Sequence, residues 1–259
     1  MEKILSAKNI LITGGTSRLG DAFVRKALER GARVFLTYHQ NEKRVEELRA
    51  LGAECFKLDL SDVAAMELFC KAVKEKTPVL DVIIHNAAAV RDHTLQNLTE
   101  EDWDYVLAVD LKAPYFLTKK LLPLLFKGNS SRSLGATAEK LAVGRAGPKI
   151  FFITSRAAIT GGIGISNYAA AKAGLIGLAK SLAQELGKKN ILVNAVNPGF
   201  MISGMTEHLA EEVLARNRFA SPVERFSVPE EVADFLVYLS SDAMSQVTGQ
   251  VIHYESRKI

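Results

Sequence analysis

Cysteine is nearly absent from this 259-residue chain; Cys55 and Cys70 are the only two. So few exclude a disulfide-framed secreted fold, and they read as reduced thiols of a cytoplasmic protein. Long apolar runs are missing too. No stretch approaches the about 18 to 20 apolar residues that span a bilayer, so no membrane association is expected. The opening Met1-Glu-Lys-Ile-Leu-Ser-Ala-Lys spreads charge where a secretory signal would need an apolar core, so none is expected. Charge of one sign is in small excess, with a formal net charge of +4 and scattered basic residues. That pattern gives no support for a nucleic-acid partner and is milder ground for an acidic one. No internal repeat is present.

What the chain does have is alternation, built on an apolar content of 48%. Short apolar runs suited to strands fall at Asn9 to Thr13, Arg33 to Thr37, Cys55 to Leu58, Asp81 to Ile84, Lys149 to Thr154, Ile191 to Val196 and Gln250 to His253. Helical patterns lie between them, at Ala22 to Arg30, Asn41 to Leu51, Asp62 to Lys76, Glu100 to Phe126, Tyr168 to Gly187 and Pro229 to Leu239. Alternation of this kind predicts an α/β fold, one doubly wound domain whose parallel sheet is covered on both faces. Two stretches break the rhythm. Gly128 to Pro148 is small, polar and basic and reads as a surface excursion; Ser203 to Ser227 is a candidate lid over the ligand crevice, or an ordinary surface helix and loop.

Two motifs carry chemistry. Thr13-Gly-Gly-Thr-Ser-Arg-Leu-Gly20 joins the first strand to the first helix. Glycines there allow close approach to phosphate, and the helix N-terminus supplies free N–H groups, so Gly14, Thr16, Ser17, Arg18, Leu19 and Gly20 are candidate cofactor residues. The second is Ser155 followed thirteen residues later by Tyr168-Ala-Ala-Ala-Lys172. Residues four apart share a helix face, so the Lys172 ammonium can favour the Tyr168 phenolate and move its pKa from about 10 toward working pH. Tyr-x-x-x-Lys also occurs at Tyr115 to Lys119 and Tyr254 to Lys258. Tyr115 lies in an apolar helical run and reads as a packing residue; Tyr254 is near the end of the chain, with no later element to enclose it. Only Tyr168 follows an apolar strand that ends at a serine.

Taken with His85-Asn-Ala-Ala88, Asn194 and Pro198-Gly199, these motifs resemble the short-chain dehydrogenase/reductase family from about Lys8 to His253. The resemblance implies a Rossmann-type, seven-stranded parallel sheet, a single domain over residues 1–259, and a dimer or tetramer formed by the two longest helices. Within the family, Val90-Arg-Asp92, Asn167 to Gly177, Val193 to Phe200 and Val247-Thr-Gly249 are most similar to β-ketoacyl-acyl-carrier-protein reductases. By that likeness Ser155 holds the substrate carbonyl, Tyr168 supplies a proton and Lys172 meets the nicotinamide ribose. Asn86, Ala87 and Ala88 line the cofactor channel, Asp59 and Leu60 meet the adenine, and Pro198, Gly199, Met201 and Ser203 hold the carboxamide end. The second strand ends Tyr38-His39-Gln40-Asn41, with no carboxylate to bind a ribose 2′-OH. Arg18, with Lys43 and Arg44 nearby, could bind a 2′-phosphate, so NADPH is the expected cofactor.

Three departures stand out. Arg18 replaces a usual glycine; with His39 it resembles pteridine reductases, which tend to carry aspartate where Ser155 stands. Asp110 replaces a usual asparagine that helps hold a proton-relay water; either its charge would pair with Lys172 and weaken that cation's pull on Tyr168, or it merely accepts local hydrogen bonds. The tail His253-Tyr-Glu-Ser-Arg257 replaces a usual glycine pair. The leading expectation is NADPH-dependent reduction of a ketone, a 3-oxoacyl thioester on an acidic acyl carrier protein, with Lys188 and Lys189 or Lys119 and Lys120 as candidate docking cations. The alternatives are a pteridine or other small-carbonyl reductase, and a non-catalytic NADPH-binding sensor or scaffold.

Overall fold

The structure, a computed structural model, describes residues 3–133, 146–202, 206 and 210–257. Seven parallel strands form one sheet in the order β3-β2-β1-β4-β5-β6-β7. They are β1 (Asn9–Ile12), β2 (Arg33–Tyr38), β3 (Glu54–Lys57), β4 (Val82–His85), β5 (Lys149–Ile153), β6 (Leu192–Asn197) and β7 (Val251–His253). The helices are α1 (Arg18–Glu29), α2 (Glu42–Ala50), α3 (Val63–Lys76), α4 (Glu100–Leu107), α5 (Ala113–Ser133), α6 (Ala157–Thr160), α7 (Ser166–Gly187), α8 (Glu211–Phe219) and α9 (Pro229–Ser240).

Side chains alternate along each strand, so every central strand feeds two cores. Ile10, Ile12, Val34, Leu36, Phe151 and Val196 pack with α1, α2 and α9 on one face. Leu11, Phe35, Ile150, Phe152 and Val193 pack with α3, α5 and α7 on the other. Burial on both faces explains why these strands read as continuous apolar runs. The strand order reverses between β1 and β4, which opens a crevice at the carboxyl ends of the strands. The glycine turn after β1, Asn86 after β4, Ser155 after β5 and Pro198-Gly199 after β6 all lie on that edge.

Three expectations are corrected. The helix expected over Glu100 to Phe126 is two α-helices joined by a π-helical turn over Ala108–Lys112, closed by the Ala113 N–H donating to the Ala108 carbonyl five residues back. The excursion expected from Gly128 is helical as far as Ser133, and residues 134–145 lie outside the described residues. Tyr115 is no packing residue: it is 46% exposed, with Lys119 Nζ 5.9 Å from its ring centre. Tyr254 is half-buried, packing its ring against Phe235 at 5.1 Å, although it lies near the end of the chain. Burial pushes the Cys70 thiol up to about 11, as suits an inert core thiol. Among the described residues no helix is long and apolar enough to cross a membrane.

Candidate active site

The turn between β1 and α1 is built for a close-lying ligand. Gly14 has φ +65°, and a Cβ there would lie 2.8 Å from the Ala87 Cα. A side chain at Gly20 would collide with the Gly14 carbonyl oxygen. Ser17 caps α1 by accepting the Gly20 N–H at 3.0 Å on its side chain, and its carbonyl accepts the Asp21 N–H at 2.8 Å. Asn86 ties the two loops of the crevice together, donating from Nδ2 to the carbonyls of Thr13 and Gly14 and to Ser17 Oγ at 3.0 to 3.1 Å. Thr13 Oγ1, which the sequence did not single out, accepts the Asn86 and Ala87 amides, both at 3.1 Å. This glycine cradle against a helix N-terminus fits a dinucleotide pyrophosphate. Among the described residues there is no group of three or more His, Cys, Asp or Glu that could hold a metal ion.

The adenosine end gathers the other candidates. His39 Nε2 stands 3.9 Å from Asp59 Oδ2, and Asp59 Oδ1 accepts the Ser61 amide and hydroxyl at 2.8 and 2.7 Å. Those bonds hold the Asp59 carboxyl below its usual range. The Gln40 carbonyl accepts from Thr16 Oγ1, and the Asn41 side chain is spent capping α2 through the Arg44 N–H. Leu19 and Leu60 bury their side chains in the core, so only their backbones can meet a cofactor. Arg44 Nη1 donates to the Thr16 carbonyl at 2.9 Å, and Arg18 Nη1 to the Ile202 carbonyl at 3.3 Å. Both arginines line a cavity of ≈640 Å³ that runs from the glycine turn to Ser227. Gly199, with φ +80°, follows Pro198 at the end of β6, and Met201 is half-buried beside it; Ser203 lies outside the described residues.

The candidate proton-handling group forms where β5 meets α7. Lys172, buried to 3% side-chain exposure, sends Nζ to the Ile153 carbonyl at 3.2 Å and to Asp110 Oδ2 at 3.1 Å, and stands 5.4 Å from the Tyr168 ring centre. Asp110 is fully buried in the π turn, and its Oδ1 accepts the Ala89 N–H at 2.7 Å. Asn167, a buried side chain the sequence quoted without a role, accepts the Tyr168 N–H and donates to the Arg91 carbonyl, which pins the start of α7. Ser155 Oγ accepts the Ala157 amide at 3.2 Å.

Electrostatics here depart from the sequence expectation. Burial raises the Tyr168 phenol above the ordinary tyrosine value; Lys172 and Ser155 oppose this, and Asp110 and Asp92 reinforce it. The lysine lowers the phenol's pKa as expected, but burial and the aspartate outweigh it. Burial alone would lower Lys172, yet the Asp110 and Tyr168 charges hold it above the usual lysine value. Burial pushes the Asp110 carboxyl up, against the pull of Lys172. Asn194 is structural, tying β6 to Val247 and Gln250. Among the expected docking cations, Lys120 is committed to Glu67 at 2.7 Å.

A parallel sheet with a phosphate cradle at its reversal point and a Ser-Tyr-Lys group one strand away defines a nucleotide-dependent oxidoreductase. Comparison with known proteins narrows the class. The family model described as Enoyl-(Acyl carrier protein) reductase matches residues 15–256. The 3-oxoacyl-[acyl-carrier-protein] reductase FabG of Thermotoga maritima is 35% identical over 253 residues, 96% of this chain and 96% of that one. The protein of that name from Staphylococcus aureus is 31% identical over 252 residues, 95% of this chain and 96% of its own. Nodulation protein G of a Rhizobium is 33% identical over 255 residues, 96% of each. A solved structure, the Pseudomonas aeruginosa RhlG/NADP active-site complex, matches with a TM-score of 0.84 at 29% identity, over 99% of this chain and 98% of that chain. The chain belongs to the short-chain dehydrogenase/reductase family.

Proposed function

We propose that this protein is an NADPH-dependent ketone reductase whose substrate is a 3-oxoacyl thioester on an acyl carrier protein. The observation that carries the reading is the Ser155, Tyr168 and Lys172 group beside the glycine cradle, in a chain 31 to 35% identical to two 3-oxoacyl-[acyl-carrier-protein] reductases over 95 to 96% of its length. NADPH is the cofactor supported by the two arginines at the cradle, Arg18 and Arg44, and by the NADP complex of the structural relative. The bound dihydronicotinamide would supply hydride to the carbonyl carbon.

The chain's own residues do the rest. Ser155 Oγ donates to the carbonyl oxygen and orients it, and the Tyr168 hydroxyl gives that oxygen its proton. Lys172 steadies the phenolate left behind. Asp110 keeps Lys172 charged and fixes its direction, and through the Ala89 amide it also fixes the loop after β4. The presence of Ser155, Tyr168 and Lys172 together supports the reductase reading over a non-catalytic NADPH-binding sensor.

The test is acetoacetyl-CoA with NADPH, followed by loss of NADPH absorbance. Turnover that Tyr168→Phe abolishes supports the reading, and silence with this and a wide panel of ketones overturns it. The long helices α4, α5 and α7 are proposed to pack on their copies in a two-fold assembly.

A further inference from the structure

The tail that departs from the family forms a continuous polar chain from the end of β6 to α8. Asn197, the last residue of β6, accepts the Gly199 N–H on Oδ1 at 3.2 Å and donates from Nδ2 to Glu255 Oε1 at 2.6 Å. Glu255 Oε2 takes Arg257 Nε at 2.5 Å, and Arg257 Nη1 donates to Asn217 Oδ1 on α8 at 2.8 Å. Ser221 and Ser256 share a second hydrogen bond between the α8 region and the tail, at 2.5 Å. The Glu255 and Arg257 side chains are only 3% and 7% exposed. Burying such a pair is costly, so it is poor ground for stability and better ground for fixing one arrangement.

What it fixes is α8, which has no buried residue of its own to hold it to the sheet. Beneath α8 and the tail lies a cavity of ≈270 Å³, walled by Phe200, Val223, Phe226 and Tyr254. Polar side chains such as Asn217 and Ser221 share the lining, and its two arginines and two glutamates pair with each other, Arg257 with Glu255 and Arg225 with Glu231. With those charges paired, the cavity suits an uncharged group laid along its four apolar walls. It lies at the ends of β6 and β7, one and two strands from the β5 end that carries Ser155, a span of about 10 Å across the sheet.

We infer that the carboxy-terminal segment is a strap, with Arg257 a positioning residue that holds α8 over this cavity so that it receives the distal apolar tail of the ketone. The role in ketone selection rests on the reductase reading; the strap itself does not. Three variants separate a positioning role from a merely structural one. Arg257→Met leaves Glu255 buried and unpaired, so its thermal stability falls. The double variant Glu255→Gln with Arg257→Met removes that unpaired charge and restores stability. Asn217→Ala cuts the link from Arg257 to α8, together with the bond from Asn217 Nδ2 to the Val213 carbonyl within that helix.

Hydrogen–deuterium exchange of Glu211–Phe219 should quicken in all three. The KM for a 3-oxooctanoyl N-acetylcysteamine thioester should rise roughly tenfold, the scale of one charge-assisted hydrogen bond, with kcat and the KM for NADPH little changed. The rise should be smaller for the 3-oxobutanoyl thioester, whose tail is too short to reach the cavity. Exchange unchanged in the double variant and in Asn217→Ala would overturn the strap. Faster exchange with unchanged KM values would overturn its part in positioning substrate, and equal rises for both thioesters would overturn the assignment of the cavity. If the wild type reduces no ketone while exchange still quickens, the proposed function falls and the strap stands.

Discussion

Replacing Asp110 with asparagine should shift the ionisation of Tyr168 downward. Lys172 Nζ stands 5.4 Å from the Tyr168 ring centre and 3.1 Å from Asp110 Oδ2, so the two distances laid end to end put the carboxylate within about 8.5 Å of the ring. At an effective dielectric of about 20, unit charges at that separation interact by about 2 kcal/mol, equivalent to a little over one pH unit. Asparagine keeps an oxygen for the Ala89 amide while removing the charge that neutralises Lys172. The assay is the oxidation of a 3-hydroxyacyl thioester with NADP⁺, in which Tyr168 acts as the base and kcat/KM rises with pH as the phenol ionises. In Asp110→Asn that rising limb should move about one pH unit lower, with the circular dichroism spectrum unchanged. A limb that stays in place would refute the reasoning, for it would mean that no negative charge on Asp110 opposes the phenolate.

Other outcomes follow from particular contacts. Arg18→Ala should raise the KM for NADPH about tenfold, the scale of a lost charge-assisted bond, and leave that for NADH nearly unchanged; equal effects would refute the 2′-phosphate role. Burial holds His85 down to about 3 from an ordinary 6.5, so the stability its neutral ring contributes is complete above about 6.5 and is lost as pH falls toward 3. Thermal scans across that window should show the loss, and His85→Gln, which can still bond Thr118, should flatten it; an equally steep fall would count against His85. Light scattering should report a dimer or tetramer, and a monomer would refute the packing proposed for the long helices.

Much of the fold was legible because burial on both faces of the sheet forces unbroken apolar runs, and each of the seven appears as a strand. The cradle was legible because glycine at Gly14 answers a steric demand that other residues cannot meet. The π turn was not, since Ala108 to Lys112 has the same helical pattern as its neighbours and only the five-residue hydrogen bond betrays it. Nor was the rise of the Tyr168 pKa: spacing places Lys172 near the phenol but says nothing of how deeply both are buried. The tail was visible as a departure, yet the pairing of Glu255 with Arg257 and the reach to Asn217 depend on a helix some forty residues upstream.

The π turn also acts as a phase shifter within one rod. Ahead of it α4 lies against α7, and beyond it α5 lies against α3. One residue of an α-helix advances the azimuth by about 100°, so deleting a single residue from Ala108–Lys112 to give a straight helix would turn one of these surfaces away from its neighbour. The extra residue lets a single helical rod serve two partners that lie in different directions. Asp110 stands within that offset, so the orientation of Lys172's ion-pair partner and the seating of two helices are set by the same local twist.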